Sequence, residues 1–300
     1  MTTRVNLATF INTTLSNVQQ STSNMNKLQE QISTGKKVNR PSDAPASARR
    51  ILSLRAEEMR LDKYSANIQT AKGSLDYNAS ILQNTSDILQ RITELTMQGV
   101  SDSTDQSGKN IIASEINQLL ESVIQGSNTS RAGRYVFAGT KTTTVPFEAT
   151  RNPNGKISAV TYNGNREKIE YQIGPNANIV TNQTGDEIFT DSRLFDTIIK
   201  IRDNLANGTV SLARNELDNL DNASMGIINA VAKAGSVSST LELTGNRIAD
   251  TRLSLKEVLA STESADLSEL VMRLKEQENI FQASLASGSY VFNTSILDYL

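Results

Sequence analysis

The sequence predicts a mainly α protein: a long antiparallel, coiled-coil-like helical rod with amphipathic terminal helices and an inserted small β-rich domain. Three observations predict it. The five prolines fall at positions 41, 45, 146, 153 and 175, so 46–145 and 176–300 are free of the residue that breaks helix interiors. Apolar residues recur every seven positions in both windows. Half of the fourteen Phe and Tyr lie between Tyr135 and Phe195, which puts aromatic bulk in the middle of the chain and leaves aromatic-poor arms.

In the first window Leu54, Leu61, Ile68, Leu75, Leu82 and Leu89 form a heptad run, supported by Ile81, Ile88 and Leu95. In the second, Ala213, Leu220, Ile227, Ala234, Leu241, Ile248 and Leu255 do the same. One such run arises by chance in a chain of this composition; two, each in a proline-free window, rarely do. They predict a helix over about 45–98, roughly 80 Å long at 1.5 Å per residue, and an antiparallel partner over 209–260. A third helix is expected over 106–127, carrying Ile112, Ile116, Leu119, Leu120, Val123 and Ile124, after a turn at 102–108. The 3.5-residue repeat implies left-handed packing. A globular helical bundle with no assembly role satisfies the periodicity equally.

The middle segment reads differently. Arg134–Ala138 looks like a strand. Ile157–Tyr162 alternates, Asn163-Gly164-Asn165 supplies a tight turn, and Ile169, Tyr171 and Ile173 share one face of 168–173. That pattern predicts a hairpin joining 157–162 to 168–173. A helix over 192–206 follows, ended by Asn207-Gly208. The expected organisation is therefore 1–44, an N-terminal amphipathic helix and hinge; 45–133, the first half of the rod; 134–190, the β-rich outer domain; 191–262, the second half of the rod; and 263–300, a C-terminal amphipathic helix.

The ends carry the candidate functional residues. Leu15, Val18, Met25, Leu28 and Ile32 make one narrow apolar stripe; Leu267, Leu270, Leu274, Phe281 and Leu285 make another. Asp266 and Glu269 form a capping-box-like start. The heptad phase shifts between Leu255 and Leu267, which marks a joint; Gly35 with Pro41 and Pro45 marks its counterpart. Residues 1–40 hold about ten large apolar side chains, each contributing ~1.5–3 kcal/mol if fully buried, while ordering each backbone costs ~1–2 kcal/mol. A strip with one covered face does not balance that cost. The ends are expected to be poorly ordered in an isolated chain and to fold against neighbouring subunits; the alternative is packing on the rod of the same chain.

Composition narrows the chemistry. The 300 residues include no Cys, His or Trp, which removes thiol nucleophiles, imidazole bases and most zinc and copper sites. A net charge of −2 gives no basic excess for nucleic acid or anionic membrane. No stretch approaches the ~20 apolar residues of a membrane span, and no cofactor motif occurs. The start lacks a signal-peptide core, which alone reads as cytoplasmic. Carboxylate pairs such as Glu57–Glu58 read as helix-surface charges, not a hydrolase dyad. Tyr135 and Phe137 read as core of the β-rich domain, and Lys72 and Arg91 as solvated or paired with adjacent subunits.

The run Gln29-Glu-Gln-Ile-Ser-Thr-Gly-Lys-Lys-Val-Asn-Arg-Pro-Ser-Asp-Ala-Pro45 strongly resembles the flagellin-like axial proteins, through Ser33, Gly35, Val38, Asn39 and Asp43. Ala265-Asp-Leu-Ser-Glu269 and Gln282-Ala-Ser-Leu285 resemble the family's closing helix. Three features resemble the members that join hook to filament more than the flagellins: Asn39-Arg-Pro-Ser-Asp43, Gly133-Arg-Tyr-Val-Phe-Ala-Gly-Thr-Lys-Thr142, and the end Ser295-Ile-Leu-Asp-Tyr-Leu300. Ala44 departs from the family pattern, where a second Asp is common. The resemblance implies a non-enzymatic structural subunit exported unfolded through the flagellar type III channel by uncleaved signals, and hence extracellular. It implies a ring of identical copies between hook-associated protein 1 and flagellin. A dedicated export chaperone would mask the stripe at Leu267, Leu270, Leu274 and Phe281. The rival within the family is a short flagellin that forms the filament; outside it, a soluble coiled-coil binding module.

Overall fold

The computed structural model describes residues 2–297, with side chains described at 9 and 11–289. The chain divides into two compact units, 61–250 and the pair of segments 1–60 and 251–300. Helices α2 (Pro45–Gly99) and α6 (Leu217–Glu263) contribute residues to both.

Within 61–250, α2 and α6 run antiparallel. Lys72 Nζ lies 2.8 Å from Glu242 Oε2, the Ser238 hydroxyl donates to Asp76 (3.1 Å), and the Arg214 guanidinium donates to the Val100 carbonyl (3.0 Å). The heptad stripes face inward: Leu61, Ile68, Leu75, Leu82 and Leu89 are buried, as are Ala213, Leu220, Ile227, Ala234, Leu241 and Ile248. Each large side chain so placed contributes about 1.5–3 kcal/mol. Helix α3 (Gln106–Ser127) starts where Asp105 accepts the Gly108 N–H at 2.8 Å, an N-cap that satisfies an otherwise unpaired donor. It buries Ile112, Ile116, Leu120, Val123 and Ile124. Helix α4 (Leu194–Ala206) packs against α3 and buries Leu194, Phe195, Ile198, Ile201 and Leu205. Its Arg202 is buried too; Asn117 (2.7 Å) and Asp203 (2.8 Å) keep that charge partnered.

The helix expected over 209–260 is broken. Helix α5 (Val210–Asn215) ends, and α6 begins after Glu216, whose N–H bonds the Ala213 carbonyl three residues back. The break tightens one turn without rotating the core face, since Ala213 and Leu220 are both fully buried. Lys72 and Arg91, expected to be solvated or to reach other subunits, pair within the chain with Glu242 and Glu115.

The β-rich part corrects the sequence reading. It comprises β1 (Ser130–Arg131), β2 (Arg134–Tyr135), β3 (Phe147–Arg151), β4 (Ile157–Tyr162), β5 (Glu170–Gly174) and β6 (Ala177–Val180), paired as three two-stranded antiparallel sheets. The expected hairpin of 157–162 with 168–173 does not form: β4 pairs with β3, and β5 with β6. The turn residues are engaged elsewhere. The Tyr162 hydroxyl lies 2.9 Å from the Phe137 carbonyl and 3.0 Å from that of Asn165, sharing its proton between them. The Asn165 N–H donates to the Ala138 carbonyl, and the Thr140 N–H to Asn165 Oδ1. The turn at 163–165 therefore clamps the 137–140 loop instead of reversing a strand. The real reversals use Asn152-Pro-Asn-Gly155, with Gly155 at φ +78°, and Pro175-Asn176.

The strand expected over 134–138 is only two residues long, because Phe137 and Ala138 leave it for the core. Phe137, Phe147, Phe189 and Phe195 form an aromatic cluster with Tyr162, centroids 5.2–5.8 Å apart in edge, tilted and stacked pairs. Phe137 is thus core, as expected. A π-helical turn (Asp186–Thr190) sets Ile188 and Phe189 into this core ahead of α4.

Candidate assembly surface

The second unit contains the joint and the two arms. Helix α1 (Thr2–Thr34) stops at Gly35, which adopts φ +67°, a left-handed conformation that favours glycine after a helix. The roots of the arms are tied by backbone: the Ala265 N–H donates to the Gly35 carbonyl (3.0 Å) and the Lys37 N–H to the Glu263 carbonyl (2.7 Å).

Side chains lock the same place. Asp43 accepts the backbone N–H groups of Arg40 (3.0 Å) and Asn39 (3.3 Å) and pairs with Lys27 at 3.1 Å. Those contacts, the Arg40 N–H foremost and then Lys27, hold its carboxyl below the usual carboxylate range. The Thr34 hydroxyl donates to Asn39, and Gln31 to the Lys37 carbonyl. Glu263 receives both Lys36 and Arg55 at 2.6 Å, and its carboxyl is likewise lowered, chiefly by Lys36. The motif residues Gly35, Asn39 and Asp43 are therefore the fastenings of a joint. At Ala44 the backbone carbonyl receives the Ala48 N–H, a role that needs no carboxylate.

Helix α7 (Leu267–Leu297) begins as the sequence implied: Asp266 accepts the N–H groups of Ser268 (2.9 Å) and Glu269 (3.2 Å). It packs antiparallel on α1. Gln277 donates to Ser21 at 2.7 Å, and Gly288 lies so close that an added Cβ would come 3.2 Å from Thr14. The ends thus pair with each other, which neither alternative drawn from the sequence contained.

The pairing sorts the ten candidate residues. Leu270 is buried, while Val18, Met25, Leu28, Ile32, Leu274 and Phe281 are half-buried along the seam. Leu15, Leu267 and Leu285 remain 54%, 51% and 49% exposed. Sequence reasoning missed Ser21 and Gly288, both buried. Their signal was smallness on the inward face of an amphipathic helix, which a search for large apolar residues passes over. Among the described residues no cluster of acidic, His or Cys side chains could hold a metal, and no helix is long and apolar enough to cross a membrane.

Residues 5–142 match the family described as the bacterial flagellin N-terminal helical region. The chain is similar to flagellar hook-associated protein 3. It is 30% identical to that of Escherichia coli K12 over 54% of this chain and 49% of the relative. It is 25% identical to that of Salmonella typhimurium LT2 over 58% and 53%. The chain spans about half the length of these curated relatives. The solved structure of FlgL from Xanthomonas campestris superposes with a TM-score of 0.61 at 16% identity, covering 68% of this chain and 98% of that one. At that identity the likeness is one of fold.

Proposed function

We propose that the chain is a structural subunit of the bacterial flagellum, an adaptor that joins the hook to the flagellin filament as a ring of identical copies. One observation carries this reading: the arm formed by α1 and α7 is unfinished. Its apolar stripe is covered on the seam and open at Leu15, Leu267 and Leu285, where other subunits would supply the missing walls. Hook-associated protein 1 would meet one side of the ring and flagellin the other. Segments 1–44 and 263–300 act in assembly, 45–133 and 191–262 as rod, and 134–190 as an outward domain. No catalytic step and no cofactor enter the mechanism.

Export precedes assembly, through the type III channel and without signal cleavage. The chaperone stripe of Leu267, Leu270, Leu274 and Phe281 includes one residue that α1 covers, so a chaperone holding all four acts before α1 and α7 pair. The similarity to hook-associated protein 3 supports the junction reading; the family match, named for flagellin, keeps the filament reading as its rival. Purified protein added to isolated hooks separates them. An adaptor adds one layer and stops, and then accepts flagellin. Long polymers grown from the protein alone would make it a flagellin, and failure to bind hooks would end the junction reading.

A further inference from the structure

We propose that neighbouring copies meet side by side through a ridge on α6 inserted beside a groove between α2 and α3, both within 61–250; this rests on the ring reading above. Between Asp221 and Glu242, α6 carries a single charged residue, Lys233, and that side chain lines the cleft beside the β5–β6 hairpin. The outward stripe is Met225, Ile228, Ala232, Gly235, Ser239 and Leu243 at three- and four-residue spacing. Met225, Ile228 and Leu243 are 62%, 54% and 70% exposed. A solvated helix face of that length ordinarily carries charges.

Gly235 adds to the case. A Cβ built there meets nothing within 4 Å, so packing within the chain does not require a residue that weakens helix interiors. Close approach of a body from outside would give such a residue a use.

The occupant follows from a second surface on the same chain. A groove of about 340 Å³ lies between α2 and α3, with Ile81 and Ile88 along it and Asn84, Gln125 and Gly126 among its other lining residues; none of its lining residues is charged. Neutral ridge and neutral groove match in polarity, and an apolar knob leaves no charge stranded there. They also match in height. The pairs Asp76–Ser238 and Val100–Arg214 fix the α2–α6 register, and Asn84–Ile88, lying between them, stands level with 226–230. Patches that join rotationally related copies in a closed ring must lie at equal height along the ring axis, and these do when the α2–α6 pair runs along that axis. The contact is head-to-tail, ridge of one copy to groove of the next.

The chain contains no Cys, so paired cysteines report cleanly. Full-length chain carrying Ile228→Cys with Asn84→Cys is expressed in cells lacking the native gene. Hook–filament structures are then isolated and oxidised. The expected result is a ladder of dimers and higher multimers, about tenfold or more above either single variant, since disulfides form only between closely facing positions. A second pair, Met225→Cys with Gln125→Cys, repeats the test at another point. Chain present at intact junctions with no ladder from either pair overturns the ridge-and-groove contact and leaves the junction reading standing. Dimers from Ile228→Cys alone mean like faces meet, which also overturns it. Unmutated chain absent from isolated flagella removes the ring reading and the contact together.

Discussion

Two glycines of the segment 133–139 have nearly the same backbone and opposite surroundings. Gly133 has φ +74° and open space where a Cβ would go; Gly139 has φ +67°, but its Cβ would collide with the Asn165 backbone carbonyl and side-chain oxygen. Changing either to Ala forces a left-handed L-residue, about 1–2 kcal/mol, offset by roughly 0.4–1 kcal/mol from a stiffer unfolded chain. Gly133→Ala should therefore cost about 1 kcal/mol or less. Gly139→Ala adds an overpacking term of about 1–3 kcal/mol. That collision cannot be relieved by rotating a side chain, because one of the colliding atoms is backbone. Relief requires breaking the clamp that Tyr162 and Asn165 place on the 137–140 loop. The expected loss at Gly139 is about 1–4 kcal/mol. Urea melts of the full chain followed by far-ultraviolet circular dichroism compare the two, provided the slope is unchanged. Equal losses within about 0.5 kcal/mol would refute the reasoning, since only packing distinguishes the sites.

Three further outcomes are expected. Leu270→Asp places a charge in the α1–α7 seam and should abolish hydrogen-exchange protection in both arms while leaving 61–250 intact; Leu267→Asp, at an exposed position, should keep that protection and block assembly on hooks. Glu263→Gln removes the partner of Lys36 and Arg55 and should weaken protection at 35–44 by about 1 kcal/mol, the scale of exposed pairs in a small network. In the unaltered chain Glu263 and Asp43 titrate below the usual carboxylate range, so their stabilisation is complete above that range and is lost as pH falls through their folded values. Tyr162 is pushed up to about 12, first by burial and then by Asp186. The folded state thus favours the protonated phenol, and the stability it adds holds below the ordinary tyrosine value and fades as pH rises toward 12. In an ultraviolet titration one tyrosine should ionise late, and Tyr162→Phe should remove that component at a cost of about 1–3 kcal/mol for the Asn165 carbonyl left without this donor, the Phe137 carbonyl keeping the Gly185 N–H at 2.8 Å.

The helical part was legible because one physical rule governs it. A seven-residue repeat names the buried face, and Leu61 to Leu89 and Ala213 to Ile248 are that face. The break at Glu216 left no trace in the repeat because it changes a hydrogen bond and not the direction of the core. The β-rich part was less legible for the converse reason. Turn residues declare that a chain reverses, not what it reverses onto. Asn163-Gly164-Asn165 and Asn152-Pro-Asn-Gly155 carry similar signals, and only the long-range grip of Tyr162 on Phe137 decides which one closes a hairpin. At the candidate surface the large residues of both arms were readable, whereas their mutual pairing was not. Ser21 and Gly288 act by being small, and smallness in a polar, glycine-containing helix looks like ordinary surface.

That seam also sharpens the energetic argument about the ends. A helix pair that meets through Ser21, Thr14 and Gly288 approaches closely but buries little apolar area at those contacts. Its large side chains stay half-covered, with Leu270 alone among the ten candidates fully inside. At about 25 cal/mol per Å², half-covered leucines and valines return only part of what ordering two helices costs. The joint lowers that cost by fixing where both helices start: Gly35 and Ala265 are bonded backbone to backbone, and Glu263 and Asp43 hold the surrounding loop. Pairing is then a local event with its ends already registered, and the remaining deficit is the area still open at Leu15, Leu267 and Leu285. A surface built this way is stable enough to present a defined shape, yet gains most of its stability from whatever covers it. Removing the joint should therefore weaken assembly more than removing any one exposed leucine: a Glu263→Gln, Asp43→Asn double variant should bind hooks less well than Leu285→Ala. The reverse order would mean that the open leucines, and not the registration of the arms, set the affinity.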